Sequence, residues 1–226
     1  MVEYLKCLSE KYKANANSEN ALPMKKYMRN QFEFFGIKNP ERKIIDKQFF
    51  AENGLPEISD LEKIIKSAWN LPEREFQYFA MFLLDKMKKQ FDEKVLNLLE
   101  YLTLEKSWWD SVDFLSANMF GYMFQRFPVL IPEYTENWMA SENMWLQRTS
   151  ILFQLKYKEA TDLELLSNFI HQLSSSKEFF IQKAIGWELR EYSKTNPQWV
   201  IDFVENNKLA SLSKREALKV INRNKK

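Results

Sequence analysis

Apolar residues along the 226-residue chain recur at spacings of three and four, the period of one face of a helix. Leu5, Leu8 and Tyr12 share such a face over 3–13, and the polar stretch from Asn15 to Pro23 reads as a loop. Met24, Tyr27 and Met28 form a stripe over 24–31, with Lys25, Lys26 and Arg29 off it. Gly36 and Pro40 bracket a turn, and Asn39-Pro40 reads as an N-cap followed by a first helical position. Gly54 and Pro56 close that helix; Ser59, with Glu62 three residues on, has the form of a capping box. Further helices are predicted from Pro72 to about Lys88, from Asp92 to Leu104, and from Trp108 towards Phe127. After Pro128 and Pro132, the segment Ser141-Glu142-Asn143 caps a helix holding Trp145 and Arg148. Asp162 caps one through Leu173, Ser176 caps one through Ser193, Pro197 starts another, and Ser213 caps the last.

The pattern repeats. Trp109, Trp145 and Phe180 fall at intervals of 36 and 35 residues, and Met144-Trp145-Leu146-Gln147-Arg148 matches Phe179-Phe180-Ile181-Gln182-Lys183 in character. A period of this length with two helices per unit predicts a HEAT-like or TPR-like solenoid, whose second helices line a concave surface. Composition agrees with this: four glycines and seven prolines are few for a β or doubly wound protein, so the chain reads as all-α, one domain over 1–226.

Charge and rare residues narrow the chemistry. A formal charge of +2 does not by itself announce a nucleic-acid binder, so a basic surface has to arise from segregation of charge. The lone Cys7 excludes an internal disulfide and reads as a small buried apolar residue; the lone His171 reads as a solvated helix residue. Together they leave no Cys- or His-based metal site and no Ser–His–Asp triad, and no metal or cofactor is expected. There is no Gly-rich phosphate loop, HExxH or GxSxG. The charged N-terminal segment has no signal pattern and no apolar run reaches 18 residues, so a cytoplasmic protein without a membrane partner is expected.

What remains is aromatic and carboxylate. In Ser107-Trp108-Trp109-Asp110-Ser111-Val112-Asp113, Trp109 and Asp113 are four apart and share a helix face. An aromatic plane beside a carboxylate suits a cationic or cation-developing substrate; a core tryptophan beside a surface acid has the same spacing. Arg148, one turn from Trp145, is either a phosphate fork or a surface salt bridge with an acid such as Glu142. Lys183 and Arg190 flank Trp187 on one helix, with core packing the other reading of Trp187. The basic run Lys214, Arg215, Lys219, Arg223, Lys225 and Lys226 is either a phosphate contact or a solvated tail.

These segments, with Phe180 through Tyr192, Tyr27-Met28-Arg29-Asn30-Gln31-Phe32, Leu71 through Gln77 and Leu212 through Ala217, resemble the AlkD family of bacterial DNA alkylation-repair glycosylases over essentially the whole chain. The resemblance implies a right-handed solenoid of HEAT-like repeats with a concave, basic DNA-binding face. It implies a monofunctional enzyme that hydrolyses the N-glycosidic bond of cationic N3- and N7-alkylated purines in duplex DNA, acting as a monomer. By the same resemblance Asp113 is the catalytic aspartate, Trp109 and Trp187 flank it, Arg148 contacts phosphate, and Tyr27, Lys183 and Arg190 join the DNA-facing set. Lys38 stands where the family has a glutamine facing the DNA, which is a departure at that turn. Lys183 and Lys106 are the lysines an imine route would need; a water route suffices. A non-catalytic scaffold that binds DNA or protein is the alternative.

Overall fold

The computed structural model describes residues 2–224. Met1, Lys225 and Lys226 lie outside them, the last two being members of the basic C-terminal run. The chain is nearly all helical, and among the described residues the sole β feature is an isolated bridge between Glu33 and Glu73. It divides into two compact units, Met1–Asp92 and Glu93–Lys226.

The first unit holds α1 (Glu3–Ala14), α2 (Ser18–Tyr27), α3 (Asn39–Asn53), α4 (Ile58–Trp69) and α5 (Arg74–Met87). α1 packs on α3 and α4, and α4 on α5, around Leu5, Leu8, Tyr12, Phe49, Ile65, Trp69 and Phe79. The helix α2 occupies the stretch expected to be a loop. Asn17 caps it by accepting from Asn20 N, and Pro23 is carried inside it. No residue of α2 is buried, so the segment lacks the apolar stripe by which a helix is recognised. Cys7 is also a correction: it is exposed, because α1 buries the face of Leu5, Leu8, Ser9 and Tyr12. The turn before α3 is held by Glu75, whose carboxylate accepts from Phe35 N, Gly36 N and Ile37 N at 3.2, 2.9 and 3.1 Å. Gly36 has φ +86°, and an added Cβ there would lie 2.0 Å from Asn17 O, so no other residue fits this turn.

The second unit is built from helix pairs. The first helices are α6 (Val95–Leu104), α9 (Ile131–Ala140), α11 (Leu163–Leu173) and α13 (Pro197–Asn206). The second helices are the continuous run α7 (Trp109–Phe114), a π-helical turn (Leu115–Phe120) and α8 (Gly121–Arg126), then α10 (Met144–Leu152), α12 (Phe179–Tyr192) and α14 (Ser211–Ala217); α15 (Lys219–Asn224) follows. α10 packs on α7 and α12, and α12 packs closely on α14, so the second helices form one row. The starts of α10 and α11 follow the expected caps at Asn143 and Asp162, and α13 starts at Pro197 as expected, capped by Asn196; each cap accepts from backbone amides of its helix's first turn. Ser213 instead lies inside α14, where its hydroxyl donates to Gln182 O at 2.9 Å and ties α14 to α12. Ile151, Leu152, Leu166, Ile170, Ile181, Ile185, Leu189 and Val200 fill the core between the rows.

Candidate functional site

The row of second helices determines which side chains meet. Asp113 ends the second turn of α7 and Arg148 sits mid-α10, with adjacent helices bringing them together: Arg148 Nε donates to Asp113 Oδ1 at 2.7 Å. The guanidinium also donates through Nη1 to the carbonyl of Phe180 at the start of α12. One arginine therefore links three successive repeats. Its side chain is 4% exposed and that of Asp113 17%. Glu142, the acid expected as a surface partner, is not the one Arg148 uses. Burial raises the Asp113 carboxyl above the ordinary carboxylate range, the charge and hydrogen bond of Arg148 draw it back down, and Asp110 adds a smaller upward push.

Around this pair lies an aromatic cluster. Trp108, extended at the N-cap of α7, sets its ring 5.5 Å from Phe180 in a T-shaped contact and 6.0 Å from Trp145; Trp145 and Phe180 are 5.1 Å apart. The ring that meets Trp145 and Phe180 is thus that of Trp108, the neighbour of the Trp109 that the sequence pattern aligned with them. Trp109 is half-buried at the first turn of α7, on Asp113's face by helical spacing. The π turn begins two residues beyond Asp113. Within it Ser116 Oγ lies 2.7 Å from Val112 O and 2.9 Å from Thr149 Oγ1, linking the turn to α10. Gly121 then lets Phe153 O pass where a Cβ would stand 2.5 Å away. Inserted π turns of this kind are frequent at functional sites.

Trp187 is half-buried on α12, packed against the core of the second unit. The two cations on either side of it are held by one acid on α14: Lys183 Nζ lies 3.1 Å from Glu216 Oε1, and Arg190 Nη1 lies 2.5 Å from Glu216 Oε2. Burial raises the Glu216 carboxyl, but the hydrogen bond and charge of Lys183, with the charges of Arg190 and Lys219, outweigh it and hold the carboxyl below the usual range. Gly186 makes this contact possible, since a Cβ would fall 2.6 Å from Glu216 Cβ and 2.9 Å from Ser213 O. Neither Glu216 nor the Phe180 carbonyl was singled out by the sequence; a glycine inside an otherwise regular helix was the available signal of close packing. Tyr27, the remaining candidate, belongs to the first unit and is 72% exposed at the end of α2. His171 is an exposed helix residue, its Nε2 2.8 Å from Asn207 Oδ1 and its ring stacked on Phe203.

Among the described residues no three His, Cys, Asp or Glu are grouped to hold a metal, and no helix is long and apolar enough to cross a membrane. No curated protein matches the chain. A solved structure described as a predicted DNA alkylation repair enzyme from Enterococcus faecalis is similar to it with a TM-score of 0.83 and 38% identity, covering 90% of this chain and 95% of that one. The model of the DNA alkylation repair enzyme family matches residues 8–221, and the chain belongs to that family.

Proposed function

We propose that within alkylation-damage repair this enzyme is a monofunctional DNA glycosylase that hydrolyses the N-glycosidic bond of cationic N3- and N7-alkylated purines in duplex DNA. The observation that supports this best is the Asp113–Arg148 pair: a half-buried carboxylate, fixed at one oxygen by a guanidinium and set beside tryptophans.

Such a base already carries the positive charge and departs neutral, so the reaction needs no general acid. The barrier lies in the charge that develops on the deoxyribose. The Asp113 carboxylate, with Oδ1 engaged by Arg148 and Oδ2 left for the reactant, stabilises that charge and orients the attacking water. Arg148 favours the ionised form of Asp113 in a site whose burial favours the neutral acid. Its role in this reading is to hold the carboxylate and the three repeats, with phosphate contact secondary to that. Trp109 and Trp187 flank the sugar, contributing cation–π attraction on the order of 0.5–2 kcal/mol each. Lys183, Arg190 and Tyr27 meet the DNA backbone.

Base release from methylated duplex DNA, wild type beside Asp113→Asn, tests the reading. Release of 3-methyladenine or 7-methylguanine by the wild type, reduced about 10²–10³-fold in the folded, DNA-binding variant, is the expected result. Undiminished release by the variant removes Asp113 from its role, and no release by either protein favours a non-catalytic scaffold.

A further inference from the structure

Glu188 lies next to Trp187 on α12 but points away from the site described above. It is 1% exposed, and its Oε2 has no hydrogen-bond partner among the described residues. A carboxyl left in this state loses the hydrogen bonds it made in water, which is costly unless something supplies them. Glu188 lines a cavity of about 270 Å³ between the segment joining α10 to α11 and the end of α12. The other polar walls are Gln154, Lys158, Glu159, Thr161, Glu191, Lys194 and Thr195, and the apolar ones are Leu155 and Tyr192.

The occupants of this lining are already assigned in part. Gln154 is used up by the α11 cap, accepting from Asp162 N at 2.7 Å and donating to Asp162 O at 3.2 Å. Lys194 is paired with Glu191 at 2.6 Å. That leaves Glu188 as the buried group without a partner, with Glu159 and Lys158 both exposed and opposite in charge. A divalent metal is not what this arrangement suits, because no three acidic or imidazole groups converge among the described residues. A hydrogen-bond-donating cation of small cross-section suits it, with Leu155 and Tyr192 available to a short methylene chain.

We infer that the Glu188 cavity is a binding site for a short aliphatic amine in its ammonium form, separate from the Asp113 centre. The ammonium donates to the Glu188 carboxylate and its hydrocarbon lies along Leu155 and Tyr192. Burial, reinforced by the charge of Glu191, raises the Glu188 carboxyl well above the usual range, so a proton and the ammonium compete for the same oxygens. Binding of the cation therefore favours the ionised form of Glu188, and a proton displaced from it goes to solvent. The groups that face this ionisation are Glu159, Glu191, Lys158 and Lys194; the last is neutralised by its partner.

The test is calorimetric titration of the full chain with n-butylammonium chloride at neutral pH in two buffers of different ionisation enthalpy. Tetramethylammonium and potassium chloride at equal ionic strength serve as controls. The expected result is saturable binding of butylammonium with release of up to one proton, no binding of the controls, and affinity about tenfold or more weaker in Glu188→Gln. Glutamine is isosteric with the neutral acid, so folding is expected to survive. Should that variant not fold, the ¹³C resonance of the Glu188 carboxyl in the wild type, moving to the ionised position on addition of butylammonium, reads the same event. Binding that is equal in Glu188→Gln, equal for tetramethylammonium, absent altogether, or without change at the Glu188 carboxyl overturns the inference. None of these readings involves DNA or base release, so they stand or fall apart from the proposed reaction.

Discussion

Arg148 Nε donates to Asp113 Oδ1 across 35 residues of sequence, at 2.7 Å, and with it joins the second helices of neighbouring repeats. Two opposing effects act on that carboxyl: burial favours the neutral acid, and Arg148 favours the anion. The proposed reaction needs the anion, so excision is expected to rise with pH through an apparent pKa above the ordinary aspartate range and to level off once Asp113 is ionised. Single-turnover rates between pH 4 and 8 measure this. Arg148→Gln removes the stabilising charge and leaves the burial, so its acid limb should move to higher pH. A limb unmoved in that variant would mean that Arg148 does not set the ionisation of Asp113.

Glu216 holds both Lys183 and Arg190, so any phosphate that these cations reach must compete with an internal carboxylate. Replacing Glu216 by glutamine removes the competitor's charge. Binding to undamaged duplex should tighten severalfold, and the dependence of affinity on salt should steepen by up to about two phosphate contacts. Fluorescence anisotropy across a salt series gives both quantities. Unchanged affinity in the folded variant would show that Lys183 and Arg190 do not meet DNA.

The same contact sets a steric limit. Gly186→Ala places a methyl group 2.6 Å from Glu216 Cβ and 2.9 Å from Ser213 O, the latter a backbone atom that cannot rotate away. Separating α12 from α14 is expected to cost about 1–3 kcal/mol, seen as a lowered urea midpoint. It should also displace Trp187, which a shift in tryptophan emission would report.

Much of the second unit could be read directly. Asn143, Asp162 and Pro197 mark helix starts because caps and prolines act locally, within a turn of their own position. The pairing of Asp113 with Arg148 was not readable from spacing, which fitted a surface partner for Arg148 equally well; only the packing of α7 on α10 selects the acid. The one-residue offset between Trp109 and Trp108 has a similar origin. Periodicity fixes a repeat to within a residue, and the extended N-cap backbone of Trp108 then carries its ring to Trp145 and Phe180. The helix α2 was missed for want of any buried face, and the π turn because its extra residue leaves no mark on a pattern of apolar spacing.

Trp108 offers a test of that cluster. Its ring contacts Phe180 and Trp145, yet its Nε1 has no hydrogen-bond partner among the described residues. Trp108→Phe keeps an aromatic edge for Phe180 and removes a buried, unmet donor, so its stability should lie within about 1 kcal/mol of wild type. Trp108→Ala opens a cavity beside Trp145 and Phe180 and should cost on the order of 3 kcal/mol. Equal losses in the two variants, by urea denaturation, would show that the indole is needed in full.

In the first unit, Asp46 is fully buried, accepting from Tyr12 Oη on one oxygen and Arg42 Nη1 on the other, each at 2.5 Å. Burial lifts its carboxyl to about 6, against the pull of Arg42 and the Tyr12 hydroxyl. A folded-state value above the unfolded one means that the native state binds the extra proton. The stabilisation this group offers is therefore complete at low pH and is lost as pH rises through about 6. Arg42→Met removes the cation that makes the ionised form tolerable and pushes the carboxyl further up. At pH 7.5 the variant must either bury an unpaired carboxylate or take up a proton, and a loss of about 3–5 kcal/mol is expected. At pH 5 Asp46 is already largely neutral in the wild type, so the same substitution should cost markedly less. Urea unfolding of both proteins at the two pH values separates the outcomes: a cost that is the same at each would mean that Arg42 acts through packing on Tyr78, whose ring it overlies at 5.2 Å, and not through the charge of Asp46.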